Sequence, residues 1–140
     1  VLTCDVNVLV HAHRADSPLH SDCRNWLLET VQGQEPFAVS DFVLASVVRV
    51  STLPELWSQA YDLEAVVQFV SDIREAQSAV PYGIHDLSWI RFVEVVRRGV
   101  IVGPKVSDAY IAAFAFSLDA TLVTYDRDFK QFPGLNIREP

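Results

Sequence analysis

Short β-branched runs alternate along this chain with stretches of helical period, and that alternation restricts the fold more than any other feature. Leu2 to Val10 is apolar apart from Thr3, Cys4, Asp5 and Asn7, which predicts a strand buried in a parallel sheet. Ser17-Pro18 supplies an N-cap and a first-turn proline. The helix it predicts carries Cys23, Trp26, Leu27 and Val31 and stops at Gly33. Phe37 to Val39 is a second strand candidate. Ser40 then caps a helix with Val43, Leu44, Val47 and Val48 in one stripe, and Pro54 lies beyond its end. Asp62 opens another, with Ala65, Val66, Phe69, Val70 and Ile73 on one face. His85 or Asp86 opens a fourth, carrying Trp89, Phe92, Val93 and Val96. Val100 to Val102 reads as a short strand or a buried loop. Ser107 is the expected cap of a last helix whose face is Tyr110, Ile111, Phe114, Ala115 and Leu118. Ala120 to Thr124 is a strand, Pro133-Gly134 a turn, and Leu135 to Ile137 a final strand. The pattern predicts β-α-β units, an α/β fold and a parallel sheet covered on both faces. No repeat, linker or composition break divides residues 1–140, so one domain is expected.

Open sheets of this kind bind ligands beyond the carboxyl ends of their strands, which makes the acids there informative. Asp5 lies inside the first apolar run, where a carboxylate is costly unless paired or bound to a cation. Asn7, two residues on, leaves the same face of the predicted strand. The structural alternative for Asp5 is a carboxylate bonded to neighbouring backbone N–H groups. Asp108 begins the Ser107-capped helix, where the macrodipole alone favours an acid. Asp126 and Asp128 directly follow the strand ending at Thr124, a place that also suits a simple turn. Asp41 follows Ser40 and is another first-turn acid. In a parallel sheet Asp5, Asp41, Asp108 and Asp126 gather at one edge. Clustered carboxylates raise each other's pKa unless a cation neutralises them. Oxygen-only ligands suit Mg²⁺ or Mn²⁺ and not zinc. Such ions activate water and stabilise the leaving oxygen in phosphodiester cleavage.

Charge narrows the partners. Eleven Lys and Arg face eighteen Asp and Glu, for a net charge of −7, which argues against sequence-independent nucleic-acid binding through bulk charge. Arg14, Arg127 and Lys130 lie close to the site loops and are candidates for holding phosphates. Arg49, among Val47, Val48 and Val50, reads as a packing or buried salt-bridge residue. His11 and His13 lack the further ligands zinc needs and are expected in a loop after the first strand. Two cysteines, Cys4 and Cys23, make no disulfide framework and suit a reducing cytoplasm. No apolar run approaches the about 18 residues of a membrane span, and the N-terminus lacks signal-peptide character.

Asp5-Val6-Asn7-Val8-Leu9-Val10, Ser107-Asp108-Ala109-Tyr110-Ile111-Ala112-Ala113 and Thr124-Tyr125-Asp126-Arg127-Asp128-Phe129, in this order, resemble the motifs of PIN-domain nucleases, and more specifically of VapC toxins from bacterial toxin–antitoxin pairs. The resemblance implies a three-layer α/β/α fold with a central parallel sheet of four to five strands. It implies a Mg²⁺- or Mn²⁺-dependent endoribonuclease, with Asp5, Asp108 and Asp126 as catalytic and metal-holding acids. Asn7 and Thr124 would support them by hydrogen bonds, and Asp128 would be an accessory acid. An RNA substrate, often transfer RNA, a cognate antitoxin, a homodimer or toxin–antitoxin hetero-oligomer and a bacterial cytoplasmic location follow from the same likeness. Many PIN domains carry a Glu where this chain has Ser46; Asp41 is the candidate to replace it, and otherwise three carboxylates hold the metal. The missing acid also supports an alternative, a catalytically weak PIN-like module acting mainly through protein binding.

Overall fold

The apolar run at the N-terminus divides at its carboxylate. In the computed structural model, which describes residues 1–78 and 83–140, strand β1 spans Leu2–Cys4 and helix α1 follows at once as Val6–His13. Asp5 is the N-cap between them, its Oδ1 accepting the Val8 N–H at 3.0 Å. The expected strand from Leu2 to Val10 is therefore corrected to a strand and a helix. Val8, Leu9, Val10 and Ala12 are all buried. Three successive buried residues, Val8 to Val10, blur any amphipathic stripe, so this sequence looks like that of an interior strand.

The sheet is parallel in the order β1-β2-β3, with β2 at Thr121–Val123 and β3 at Asn136–Arg138. Leu2 is in register with Thr121 and Cys4 with Val123, although nearly the whole chain separates them. Among the described residues the sheet has three strands, not the expected four to five. Phe37 to Val39 contributes one parallel bridge, Phe37 to Leu2. The residues just after helix α4 (Leu63–Ala76) take the place of a longer ladder. Ser78 Oγ accepts the Phe37 N–H and Gln77 Oε1 accepts the Val39 N–H, each at 3.1 Å. With those N–H groups satisfied by side chains, no strand pairing is needed there.

The other helices are α2 (His20–Gln32), α3 (Asp41–Ser51), α5 (Ile84–Gly99) and α6 (Lys105–Ser117). Helix α1 packs on α2 and α3, α3 on α4, and α5 along α6. Ser40 caps α3 through Val43 N–H and Asp62 caps α4 through Ala65 N–H, as expected. Two other expected caps are corrected. Ser17 Oγ accepts the Leu19 N–H in the turn before α2. Helix α6 begins two residues before Ser107, behind Gly103 with its φ of 62° and Pro104. Helix α5 starts behind Gly83 (φ 79°) and buries Ile84 and Ser88, whereas Trp89 is 59% exposed. Ala65 also faces outward on α4. Val100 adopts a left-handed φ of 50° and is exposed with Val102, so this segment is neither strand nor buried loop. Among the described residues, no helix is long and apolar enough to cross a membrane.

Candidate active site

Because β1 and β2 run side by side in parallel, the first residues past their carboxyl ends are neighbours: Asp5 and Thr124. The Thr124 hydroxyl donates to Asp5 Oδ2 and accepts the Asp126 N–H at 2.9 Å. Asp126 in turn caps a short 3₁₀ turn, Arg127–Gln131, by accepting the Asp128 N–H at 2.8 Å. Asp5 is 2% exposed, with one carboxylate oxygen bonded to α1 and the other to Thr124. The first shared edge of the sheet thus fixes two acids relative to one another through a single hydroxyl.

Asp5, Asp108 and Asp126 line one cleft of about 170 Å³, together with Asn7 and Ser107. Asn7 comes from the first turn of α1 and Asp108 from the first turn of α6, where the helix N-terminus favours an anion. Helix α3 forms the facing wall with Phe42, Ser46, Arg49 and Val50. These positions fall at i, i+4, i+7 and i+8, a single helical stripe, while Val43, Leu44, Val47 and Ser51 turn into the core.

The Asp5 carboxyl is raised to about 6 overall: burial pushes it up most, the Thr124 and Val8 hydrogen bonds pull it down, and the nearby charge of Asp126 adds to the rise. Burial, then Asp126 and Asp128, raise the Asp108 carboxyl. The donor set is oxygen-only and its charges repel, which suits a hard divalent cation. Among the described residues, no group of three His, Cys, Asp or Glu is close enough to enclose an ion alone. Mg²⁺ commonly uses one or two carboxylates and completes its shell with water and substrate phosphate, so these acids fit an open site and not a closed cage.

Several expected site residues stand elsewhere. Asp41 opens α3 but pairs with Arg74 at 2.9 Å, which holds its carboxyl below the usual range. It lines a separate groove with Arg74 and His85, so it does not replace the acid missing at Ser46. Asp128 is exposed beside Asp126. Arg14, expected to touch RNA, is buried: it donates to both Asp16 oxygens (3.0 and 2.8 Å) and to the Gln59 carbonyl (2.7 Å), and lies 4.9 Å above the Trp57 ring. It ties the end of α1 to the segment before α4. Arg14→Ala should therefore lower the thermal unfolding midpoint by several degrees and leave RNA affinity unchanged below that midpoint, as melting curves and binding titrations would show. Arg127 and Lys130 are exposed along a groove of about 590 Å³ that shares Asp126 with the cleft and is also lined by Thr124 and Arg138.

His11 and His13 belong to α1 and not to a loop; His11 Nδ1 meets Ser17 Oγ at 2.8 Å and His13 packs on Phe69. Cys4 and Cys23 are free and buried, and burial raises both thiols. Arg49 was the residue the sequence concealed. It is exposed, lines the acidic cleft and makes no ion pair among the described residues, contrary to the packing role expected for it. Its spacing of three from Ser46 was the available signal.

A parallel α/β sheet with acids at its carboxyl edge defines a class, and a PIN-domain family model matches residues 2–135: the chain belongs to the PIN-domain family. Within that family it is similar to Ribonuclease VapC43 of Mycobacterium tuberculosis, 33% identical over 140 residues that cover all of this chain and 95% of that protein. Ribonuclease VapC31 of the same organism is 30% identical over 141 residues, covering 97% of this chain and 96% of the relative. Among solved structures, VapBC2 from Rickettsia felis, bound to a DNA fragment from its promoter, shares the fold with a TM-score of 0.64 at 20% identity, covering 99% of this chain and 97% of that one. VapBC-1 from nontypeable Haemophilus influenzae does so at 0.59 and 16%, covering 99% and 96%.

Proposed function

We propose that this chain is a metal-dependent endoribonuclease, the toxin of a bacterial toxin–antitoxin pair, acting in the cytoplasm on RNA, with transfer RNA as the substrate class to test first. The carrying observation is the convergence of Asp5, Asp108 and Asp126, from three separate elements, on one cleft at the carboxyl edge of the sheet. Full-length similarity to VapC ribonucleases supports the reading, and the VapBC structural neighbours support a cognate antitoxin as partner, in a hetero-oligomer or beside a homodimer.

Asp5, Asp108 and Asp126 would hold Mg²⁺ or Mn²⁺. The ion supplies charge stabilisation for a phosphodiester under attack and acidifies the attacking water. Thr124 keeps Asp5 in one orientation and spaces Asp126 from it. Asn7 offers a side-chain amide at the cleft mouth, and Arg127 and Lys130 are placed to take flanking phosphates.

The test is a labelled RNA incubated with partner-free protein in EDTA, Mg²⁺ or Mn²⁺. Cleavage is expected only with metal, and Asp108→Asn should reduce it by at least about 10²-fold while the circular dichroism spectrum stays native. Cleavage in EDTA overturns the metal dependence. No cleavage in any condition favours a binding module.

A further inference from the structure

We infer that Arg49 is the second positive group of the cleft and contacts the scissile phosphate, so that this site works with one divalent ion. The inference deepens the nuclease reading and rests on it.

Position carries the first part. On the α3 wall Phe42, Ser46, Arg49 and Val50 face the cleft, so Arg49 shares a surface with Asp5, Asp108 and Asp126. An arginine beside carboxylates ordinarily forms an ion pair, yet Arg49 forms none among the described residues. Two of the nearby acids have other engagements: both Asp5 oxygens are bonded, to Val8 and Thr124, and Asp126 accepts from Asp128, while Asp108 has no ion pair with Arg49 or any other described residue. The guanidinium is therefore free to meet a ligand.

Charge carries the second part. Three carboxylates and one guanidinium leave two net negative charges, which one divalent ion cancels. A second ion would make the cleft positive, and Ser46 offers only a neutral hydroxyl on the wall where a further carboxylate would have to stand. What the site then lacks is stabilisation of the phosphate's growing negative charge on the side away from the ion. A guanidinium presents paired N–H donors to phosphate oxygens and stays charged at every working pH.

The test pairs steady-state cleavage of a labelled RNA with Mn²⁺ titration of RNA-free protein. Arg49→Ala should lower kcat/KM by about 10²-fold, and Arg49→Lys should recover part of that loss. Wild type should bind one Mn²⁺ per chain, and Arg49→Ala should bind it severalfold more tightly because a like charge has gone. A residue with a merely structural role would not tighten the metal. Two Mn²⁺ per wild-type chain, weaker Mn²⁺ binding in Arg49→Ala, or wild-type kcat/KM in that variant would each overturn the inference. If wild type cleaves no RNA with any ion, the nuclease reading itself falls; active wild type beside a fully active Arg49→Ala removes only the role given to Arg49.

Discussion

Asp5→Asn is expected to abolish RNA cleavage and, at the same time, to make the metal-free protein more stable at neutral pH. The loss of activity should reach about 10³-fold, since a ligand and its charge disappear together. The gain comes from burial. The folded-state value of Asp5 is raised from 3.8 to about 6, so the fold prefers the neutral carboxyl. Stability drawn from that neutral form is complete below the unfolded value and is lost as pH rises through the folded one. By pH 7.5 an ionised Asp5 costs roughly 2–3 kcal/mol relative to a neutral group. Asparagine caps helices as well as aspartate does, so the bond from Val8 N–H survives. Thr124 loses the acceptor of its proton, an offset of about 1 kcal/mol. The net gain of roughly 1–2 kcal/mol should raise the melting temperature by about 3–6 °C in EDTA. At pH 5 the difference should shrink, because wild type is then largely neutral at Asp5. Saturating Mg²⁺ should reverse the order, because it stabilises only the chain that binds it. Melting curves at both pH values, with EDTA and with Mg²⁺, decide it; a variant no more stable than wild type at pH 7.5 in EDTA would sink the account.

What the sequence reveals and conceals follows from geometry. The caps at Ser40 and Asp62 were legible because an N-cap is a local event, closed within three residues. Asp126 was legible because it follows a strand directly. Helix α1 was not, since burial of three successive residues, Val8, Leu9 and Val10, blurs its period. The bridge at Phe37 depends on Gln77 and Ser78, partners far away in sequence. Asp41 and Arg49 exchanged their expected roles for a related reason. Both sit on α3, but about 100° of rotation per residue sends Asp41 toward Arg74 on α4 and Arg49 toward the acids. Neighbouring valines made Arg49 look internal, although of these only Val47 turns into the core, while Val50 lines the cleft beside Arg49. Which of several first-turn acids reaches the cleft is a matter of tertiary placement.

Thr124 is where that placement is most concentrated, and Thr124→Val is expected to damage stability and metal use together. Valine fills the same volume, so packing is kept while the hydroxyl goes. Two groups then lose their partner at once: Asp5 Oδ2 loses a donor and the Asp126 N–H loses an acceptor. Thr124 is buried, so water does not replace the hydroxyl freely, and the cost should be roughly 1–3 kcal/mol. Without the Thr124 bond, which lowers its pKa, Asp5 should become harder to ionise and a poorer ligand. Asp126 also loses the bond that sets its distance from β1. Loss of such an orienting partner typically costs about 10–100-fold in metal affinity or activity. Cleavage should therefore need higher Mg²⁺ in Thr124→Val, with a saturating rate that stays below wild type. Thr124→Ser is the companion variant, because it keeps the hydroxyl and removes only a methyl group. It should give up about 1 kcal/mol of stability yet retain the wild-type Mg²⁺ requirement. If serine and valine shift that requirement equally, the methyl and not the hydroxyl holds the two acids in place, and the relay from Asp126 through Thr124 to Asp5 has no part in binding the ion.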